Sequence, residues 1–455
     1  MTAPLLLALG LGAALAARPP AAPSPATPPP AAAPSAAAAG PRTLTIDDAI
    51  AAAVANRPTI RASREAAAAA EAAAREARGA LLPQIGLAGS YTHARVWNAR
   101  TPATAVAAGA PATSGSSSDS SSATLSGDLL LWDFGQTANR WRSARSSARA
   151  ASDDARATVE ASILEARQAY FGVLAAIALD RVAADTLANS AKHLADTETM
   201  VQTGTRAPID LAQLRTQVAS ARAAKVRTGN AIRTARTRLD VAMGTPGRAD
   251  YEVATPDVPA LAIEQRPTDA LFADAVQARP ELASLRASID AGAYALRAAD
   301  RLLWPSIHAT AGGNGAGADV YDPTWTASAG VTLRWTLFDG LTSRATADAA
   351  RARMEQTRAQ LDDAGQQVWQ QIDTALADVA SGRAQLPAAE EGVAAATDLL
   401  GLAEARYREG VGSSLELADA QLSLANAQAQ RIQTEYDLAS ARARLLSSVG
   451  QDAWR

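Results

Sequence analysis

Apolar positions along this chain recur with two periods, and the periods alternate in blocks. Ile372, Val379, Leu386, Val393 and Leu400 fall seven apart, each preceded four residues earlier by Val368, Ala375, Gly382, Ala389 or Ala396. A large row beside a small row predicts a long helix packed knobs-into-holes against a close neighbour. Beyond a Gly-rich break, Leu415, Ala418, Leu422, Ala425, Ala429, Ile432, Tyr436, Ala439, Ala443 and Leu446 keep three/four spacing and predict a return helix on the same seam. Ile163, Tyr170, Ile177, Leu187, Leu194 and Val201 repeat the design less regularly. No Pro occurs from 137 to 201 and only Pro387 from 341 to 406. Each stretch therefore predicts a helix of roughly 100 Å, with a bend at Pro387 or an adjustment near Gly382.

Between these blocks the period changes to two. Ile85, Leu87, Gly89 and Tyr91 alternate with Gly86, Ala88, Ser90 and Thr92, which predicts a strand. Residues 98–122 are rich in Ser, Ala, Gly and Pro and read as a long loop, followed by a return strand from Ala123 to Trp132. Ile307 to about Gly315 and Trp325 to Leu337 repeat the hairpin around a shorter loop, with Val331, Leu333, Trp335 and Leu337 on one face. The return strands close on related phrases, Leu131-Trp132-Asp133-Phe134-Gly135 and Leu337-Phe338-Asp339-Gly340, whose Asp is placed to cap the helix behind it.

The same order of elements occurs twice. Gly204 matches Gly410, Ile209 matches Leu415, Asp210 matches Glu416 and Leu211 matches Leu417, an offset of about 206 residues. Arg57-Pro58 matches Arg279-Pro280, and Pro83-Gln84-Ile85 matches Pro305-Ser306-Ile307, an offset of about 222 that the longer first loop explains. A repeat of this length organises the whole fold. The expected layout begins with a signal peptide over 1–17 and a Pro/Ala-rich linker over 18–43. A first repeat covers 44–249: a helix roughly 59–81, a β-hairpin about 84–132, a long helix about 137–201 and a return helix about 209–243. A connecting segment covers 250–267. The second repeat covers 268–450: a helix roughly 281–303, a hairpin about 305–337, a long helix about 341–406 and a return helix about 415–449. Residues 451–455 form a tail.

Composition then narrows the chemistry. The 455 residues carry a net charge of -3 and no basic run, which excludes a nucleic-acid partner. The absence of Cys removes disulfides, thiolate metal sites and a lipid-modified N-terminal Cys. His93, His193 and His308 are isolated, so neither a metal nor a cofactor is expected. There is no HExxH, GxSxG or Walker loop, and Gly313–Ala318 has the letters of a dinucleotide loop without a helix behind it; no enzyme is expected. Residues 3–17 form a short apolar run in which Ala14-Leu15-Ala16 fits a signal cleavage site, although Met1-Thr2 adds no positive charge. No later stretch reaches 18 consecutive apolar residues, so no transmembrane helix is expected.

Tryptophan placement adds a constraint. Trp97, Trp132, Trp304, Trp325 and Trp335 lie at or near strand ends, where a membrane barrel carries its aromatic girdles; core packing of a soluble hairpin is the other reading. Four strands cannot close a barrel, and an open sheet edge cannot sit in lipid. Three chains would supply twelve strands, an even closure, and the same axis would align their long helices as a hollow cylinder.

The duplicated order, the LPQI and WPSI joints, the FDG phrase and the GxxxxxELxxAQ-type turn together resemble the TolC family of bacterial outer-membrane efflux proteins, over nearly all of 44–450. The resemblance implies a mixed fold: a homotrimeric twelve-stranded outer-membrane β-barrel, four strands per chain, continued by a long antiparallel coiled-coil α-helical barrel in the periplasm. It implies a passive exit duct of a tripartite efflux or type I secretion system, embedded in outer-membrane lipid. Its partners would be a periplasmic adaptor (membrane fusion) protein and an inner-membrane pump. It further implies a constriction at the turns holding Gly204, Gly410 and Gly412, formed by Tyr407, Glu416, Asp419, Asp210 and Arg206. Glu416 and Asp419 are three apart and share a helix face; in a trimer they would form two stacked carboxylate rings that favour cations. Alternatively Asp210 and Glu416 serve only their helix starts. The family's best-known member has Arg where this chain has Gly412, and Arg206 occupies the matching place in the first repeat. A non-transporting periplasmic coiled-coil scaffold or adaptor is the competing reading, and the Trp-ended strands stand against it.

Overall fold

A computed structural model describes residues 42–97, 115–247, 251–318 and 322–450; the expected signal peptide, nearly all of the linker and the tail lie outside them. The elements are β1 (Arg42–Leu44), α1 (Ile46–Asn56), α2 (Pro58–Gly79), β2 (Gln84–Trp97), β3 (Gly115–Trp132), α3 (Gln136–Gln202), α4 (Pro208–Ala242) and β4 (Tyr251–Val253). A 3-10 turn (Ala262–Gln265) leads to α5 (Thr268–Ala278), α6 (Pro280–Ala299), β5 (Ser306–Gly317), β6 (Thr324–Arg334), α7 (Thr342–Arg408) and α8 (Ser414–Val449). Each half thus carries two short helices rather than one before its hairpin. Pro58 and Pro280 cause the break: each opens its helix and holds the preceding Arg in extended backbone, ψ 124° at both Arg57 and Arg279.

Helices α3 and α7 have 67 residues each, about 100 Å. Pro387 does not interrupt α7. At the start of α3, Asp133 accepts from the N–H groups of Gly135 and Thr137 (2.9 and 2.6 Å). Asp339 does the same for Ser343 N–H (2.8 Å) at α7. Hydrogen bonds from Ser343 hold the Asp339 carboxyl below the usual range.

The sevenfold row of α7 is buried at its first part and half-buried at Leu386 and Val393: Val368, Ile372, Ala375 and Val379 pack with Leu438, Leu445 and Leu446 of α8 and with Leu271, Ala275 and Leu282 of α5 and α6. Replacing Ala375, 4% exposed, with Phe is expected to overpack this seam and cost about 1–3 kcal/mol. A melting temperature equal to the parent's would refute the seam. A second core forms around Tyr170 and Phe171 of α3, with Ala49 of α1, Leu239 of α4 and Met243 just beyond it, Tyr251 of β4 and Ala443 of α8. The Tyr170 hydroxyl lies between the carbonyls of Leu44 (2.9 Å) and Ala254 (2.6 Å), the ends of the β1–β4 pair. Burial pushes its phenol up to about 12.

The α8 row departs from expectation near the turn. Leu415 and Leu422 are both 59% exposed, and the buried stripe there runs through Leu417, Ala420 and Gln421. Three/four spacing identifies an apolar stripe but not the neighbour that covers it. From Ile432 onward Ile432, Ala439, Ala443 and Leu446 are buried, and Tyr436 is half-buried.

Strands β2, β3, β5 and β6 form one antiparallel sheet in that order, so β2 and β6 are its edges. Strand β3 begins at Gly115, inside the expected 98–122 loop. Its serines pair in register with Tyr91 to Val96, and Ser90–Ser122 (2.9 Å) and His93–Asp119 (2.5 Å) contacts tie the two strands. Low-complexity composition hid this strand. Strand β6 ends at Arg334 rather than Leu337, because its partner β5 begins at Ser306 behind Pro305, which has no N–H to donate. Trp335 instead donates to the Leu303 carbonyl (3.1 Å). The Gly-rich letters of 313–318 fall in and just beyond β5, where a side chain at Gly315 would meet the Trp325 ring at 3.1 Å.

Pairing register sorts the sheet into two faces. One carries Ile85, Leu87, Tyr91, Leu125, Ile307, Trp325, Val331 and Leu333; the other carries Ser90, Thr124, Ser126, Asp128, His308, Asn314, Thr326 and Thr332. The apolar face lies open, with Leu87 79% and Val331 68% exposed.

Candidate functional site

The candidate site is the tip where the α3–α4 and α7–α8 hairpins meet. Both long helices stop in the same way. Gly204 and Gly410 adopt left-handed backbone (φ 77° and 82°), and the N–H groups of Thr205 and Val411 return to the carbonyls of Met200 and Arg406 (2.8 and 3.1 Å). Only glycine takes that conformation without cost. Gly412 is needed for space, since a side chain there would meet Arg406 Cβ and Tyr407 N at 3.0 Å. Pro208 then opens α4, and the Ser413 hydroxyl caps α8 by accepting from Glu416 N–H (3.1 Å).

Polar contacts stitch one hairpin to the other. Arg206, in the first turn, lays its guanidinium over the Tyr407 ring (4.2 Å to the centroid) and donates to the Tyr407 carbonyl. Thr197 of α3 meets the Tyr407 hydroxyl at 2.9 Å. His193 approaches Glu404 of α7 at 3.2 Å. The Ser414 hydroxyl donates to Asp210 (2.7 Å) and also contacts Gln213, and Gln217 donates to Gln421 (2.5 Å). Tyr407 is therefore not on an open face. It is 4% exposed, packed among Leu400, Ala403, Leu417 and Ala420.

Of the residues singled out from sequence, Arg206, Tyr407 and Asp210 come together in this clasp. Glu416 sits beside it, paired with Arg406 Nε (3.0 Å) of its own hairpin, so an ion pair exists at this turn although position 412 is Gly. Asp419 is exposed on the next turn of α8. The clasp partners Thr197, His193, Glu404, Ser414 and Gln217 carry no periodic signal. Only the turn arginine, Arg206, pointed toward them.

The aromatic residues lie at the other end. Trp132 and Trp304 both pack on Phe134 (5.9 and 4.7 Å between centroids) where the sheet joins the helices. Trp335 is beside them, Trp325 is at the start of β6, and Trp97 ends β2 with its side chain outside the described residues. Among the described residues no group of three His, Cys, Asp or Glu is placed to hold a metal, and no helix is long and apolar enough to cross a membrane.

Known proteins share this pattern. The family pattern described as "Outer membrane efflux protein" matches residues 49–245 and 271–451. The outer membrane efflux protein BepC of Brucella suis is 28% identical over 331 residues, covering 71% of this chain and 70% of BepC. The alkaline protease secretion protein AprF of Pseudomonas aeruginosa is 30% identical over 180 residues, 39% of this chain and 37% of AprF. The crystal structure of the outer membrane protein VceC from Vibrio cholerae superposes with a TM-score of 0.76 at 19% identity, covering 89% of this chain and 96% of that one. Because the family pattern spans both halves, each with its hairpin, long helix, glycine turn and return helix, the chain belongs to the outer membrane efflux protein family.

Proposed function

We propose that the chain is the outer-membrane exit duct of a tripartite efflux or type I secretion system, a channel and not an enzyme. It works as a homotrimer with a periplasmic adaptor and an inner-membrane pump. The sheet carries this reading: four strands with two unpaired edges and an exposed apolar face suit neither water nor lipid in a single copy. β2 and β5 run away from the helices while β3 and β6 return, so β6 of one copy can pair antiparallel with β2 of the next. Three copies close twelve strands. The repeated element order supports an origin by internal duplication. Trp325 and Trp335 are ten residues apart, roughly 33 Å along a strand, or about 25 Å at a 40° tilt, the height of an outer-membrane apolar band. A coiled-coil scaffold would leave that face without a role.

The helical end supplies the closed tip. In this reading the Arg206–Tyr407 clasp holds each protomer's hairpins together, and Glu416 and Asp419 line the narrowing. Trimeric mass in detergent and outer-membrane fractionation test the assembly; a monomer soluble without detergent would exclude it. Changing Glu416 and Asp419 together to Ala is expected to weaken cation selectivity in planar-bilayer recordings without loss of trimer. Unchanged selectivity would place the narrowing elsewhere.

A further inference from the structure

The chain has three histidines, and each lies against a carboxylate. His93 and His308 meet Asp119 and Asp128 within the sheet. His193 instead joins the two helical hairpins. Its Nε2 lies 3.2 Å from Glu404 Oε1, with the two side chains 13% and 33% exposed. Imidazole ordinarily exchanges its proton between pH 5 and 8. The other ionisable side chains of the clasp are carboxylates, a guanidinium and a phenol, types that ordinarily titrate outside that range.

Further charges surround the pair. On α3, the exposed Lys192 and Asp196 flank His193, and Asp185 lies about two turns back. On α7, Arg408 is one turn beyond Glu404. Helix α4 brings Arg215, which pairs with Glu198 of α3 (3.4 Å). Helix α8 brings Gln421, Leu424 and Gln428 to a small cavity beside the pair, where Asp185, Asn189 and Leu400 complete the lining. Of the acids on α8, Glu416 is held by Arg406, and Asp419 lies outside that cavity. None of these groups is an imidazole.

A neutral His193 gives Glu404 one ordinary hydrogen bond. A protonated His193 gives it a charge-assisted bond, about twice as strong. Half-burial spares this pair much of the screening that weakens surface pairs. Glu404 thus favours the protonated imidazole while the hairpins are together, and not once they part. The closed tip therefore holds the proton more tightly. Acid stabilises it, and that stability is lost as pH rises through the imidazole range.

We propose that His193 and Glu404 form a proton-operated latch between the hairpins: acid tightens the tip and a rise in pH loosens it. The latch itself needs only the contact between hairpins; its effect on flow rests on the duct reading.

The chain has no Cys, so Gln202→Cys with Glu409→Cys places two spin labels at the exposed ends of α3 and α7. The full-length protein in lipid nanodiscs, diluted with unlabelled copies, is frozen at about pH 5.5 and about pH 8, near the two limits of imidazole titration. Pulsed dipolar spectroscopy then gives the ratio of close to parted hairpins. It is read in the parent and in Arg206→Ala, where a weakened tip brings both separations into view. The ratio is expected to be about five- to tenfold higher in acid. His193→Gln, which keeps an amide donor, should abolish the difference, and Glu404→Gln should shrink it below about twofold. Either variant decides if the other fails to fold. A difference under about twofold in both backgrounds overturns the proposal, as does a full response surviving in folded His193→Gln or Glu404→Gln. Conductance at the same two pH values reads the duct separately. Hairpins that close in acid while conductance stays unchanged would support the latch and count against the duct.

Discussion

Placing an arginine at Val331 is expected to abolish assembly in the outer membrane, while an arginine at the adjacent Thr332 is tolerated. The two residues lie on opposite faces of β6. Val331 is on the apolar face, near the midpoint between Trp325 and Trp335, and 68% exposed in the single chain. An arginine at the middle of an apolar band costs about 2–4 kcal/mol per chain. Three copies in the proposed trimer would bring roughly 6–12 kcal/mol, comparable with the whole stability of an ordinary domain. Thr332 shares its face with Asn314, Ser328 and His308, where a charge meets water. The readout is the heat-modifiable trimer band and recovery from outer membranes. Equal assembly of both variants would mean that neither face meets lipid.

If the proposed duct rests closed at this tip, Arg206→Ala is expected to leave it open at rest. Arg206 makes a cation–π contact with Tyr407, worth about 0.5–2 kcal/mol, and a charged hydrogen bond to its carbonyl, worth about 1.5–3 kcal/mol. The loss is roughly 2–5 kcal/mol per protomer. Shifting a two-state equilibrium from 1:99 to 99:1 takes about 5.5 kcal/mol, and three tips acting together exceed that. Single-channel recordings should show a large rise in resting conductance with trimer yield preserved. Parent-like conductance would show that the remaining contacts, His193–Glu404 and Asp210–Ser414 among them, hold the tip alone.

Periodicity made the long elements legible, because a helix of 67 residues repeats its packing demand many times. Ile372 and Val379 announced the α7 seam, and alternation announced β2. What escaped was whatever depends on one residue or on a distant partner. Ser116 to Ser122 form a strand because Tyr91 and His93 lie opposite, not because serine favours one. Leu415 and Leu422 read as core because spacing cannot say that α8 turns another side to its neighbours near the tip. Thr197 and Tyr407 are 210 residues apart in sequence, and one threonine in a helix carries no sign of such a contact. The glycine turns were visible; the clasp between them was not.

The Tyr170 stitch has a mechanical consequence. Tyr170 fixes α3 to the β1–β4 pair near the middle of its length, leaving about 48 Å of helix between that pin and Gln202. The arrangement is a lever with its fulcrum at the phenol. A rotation of about 5° there carries the far end through roughly 4 Å on this arm length, more than a hydrogen bond can stretch. Small rotations at the pin are thereby magnified into large displacements at the tip, and its polar contacts must break together rather than lengthen one by one.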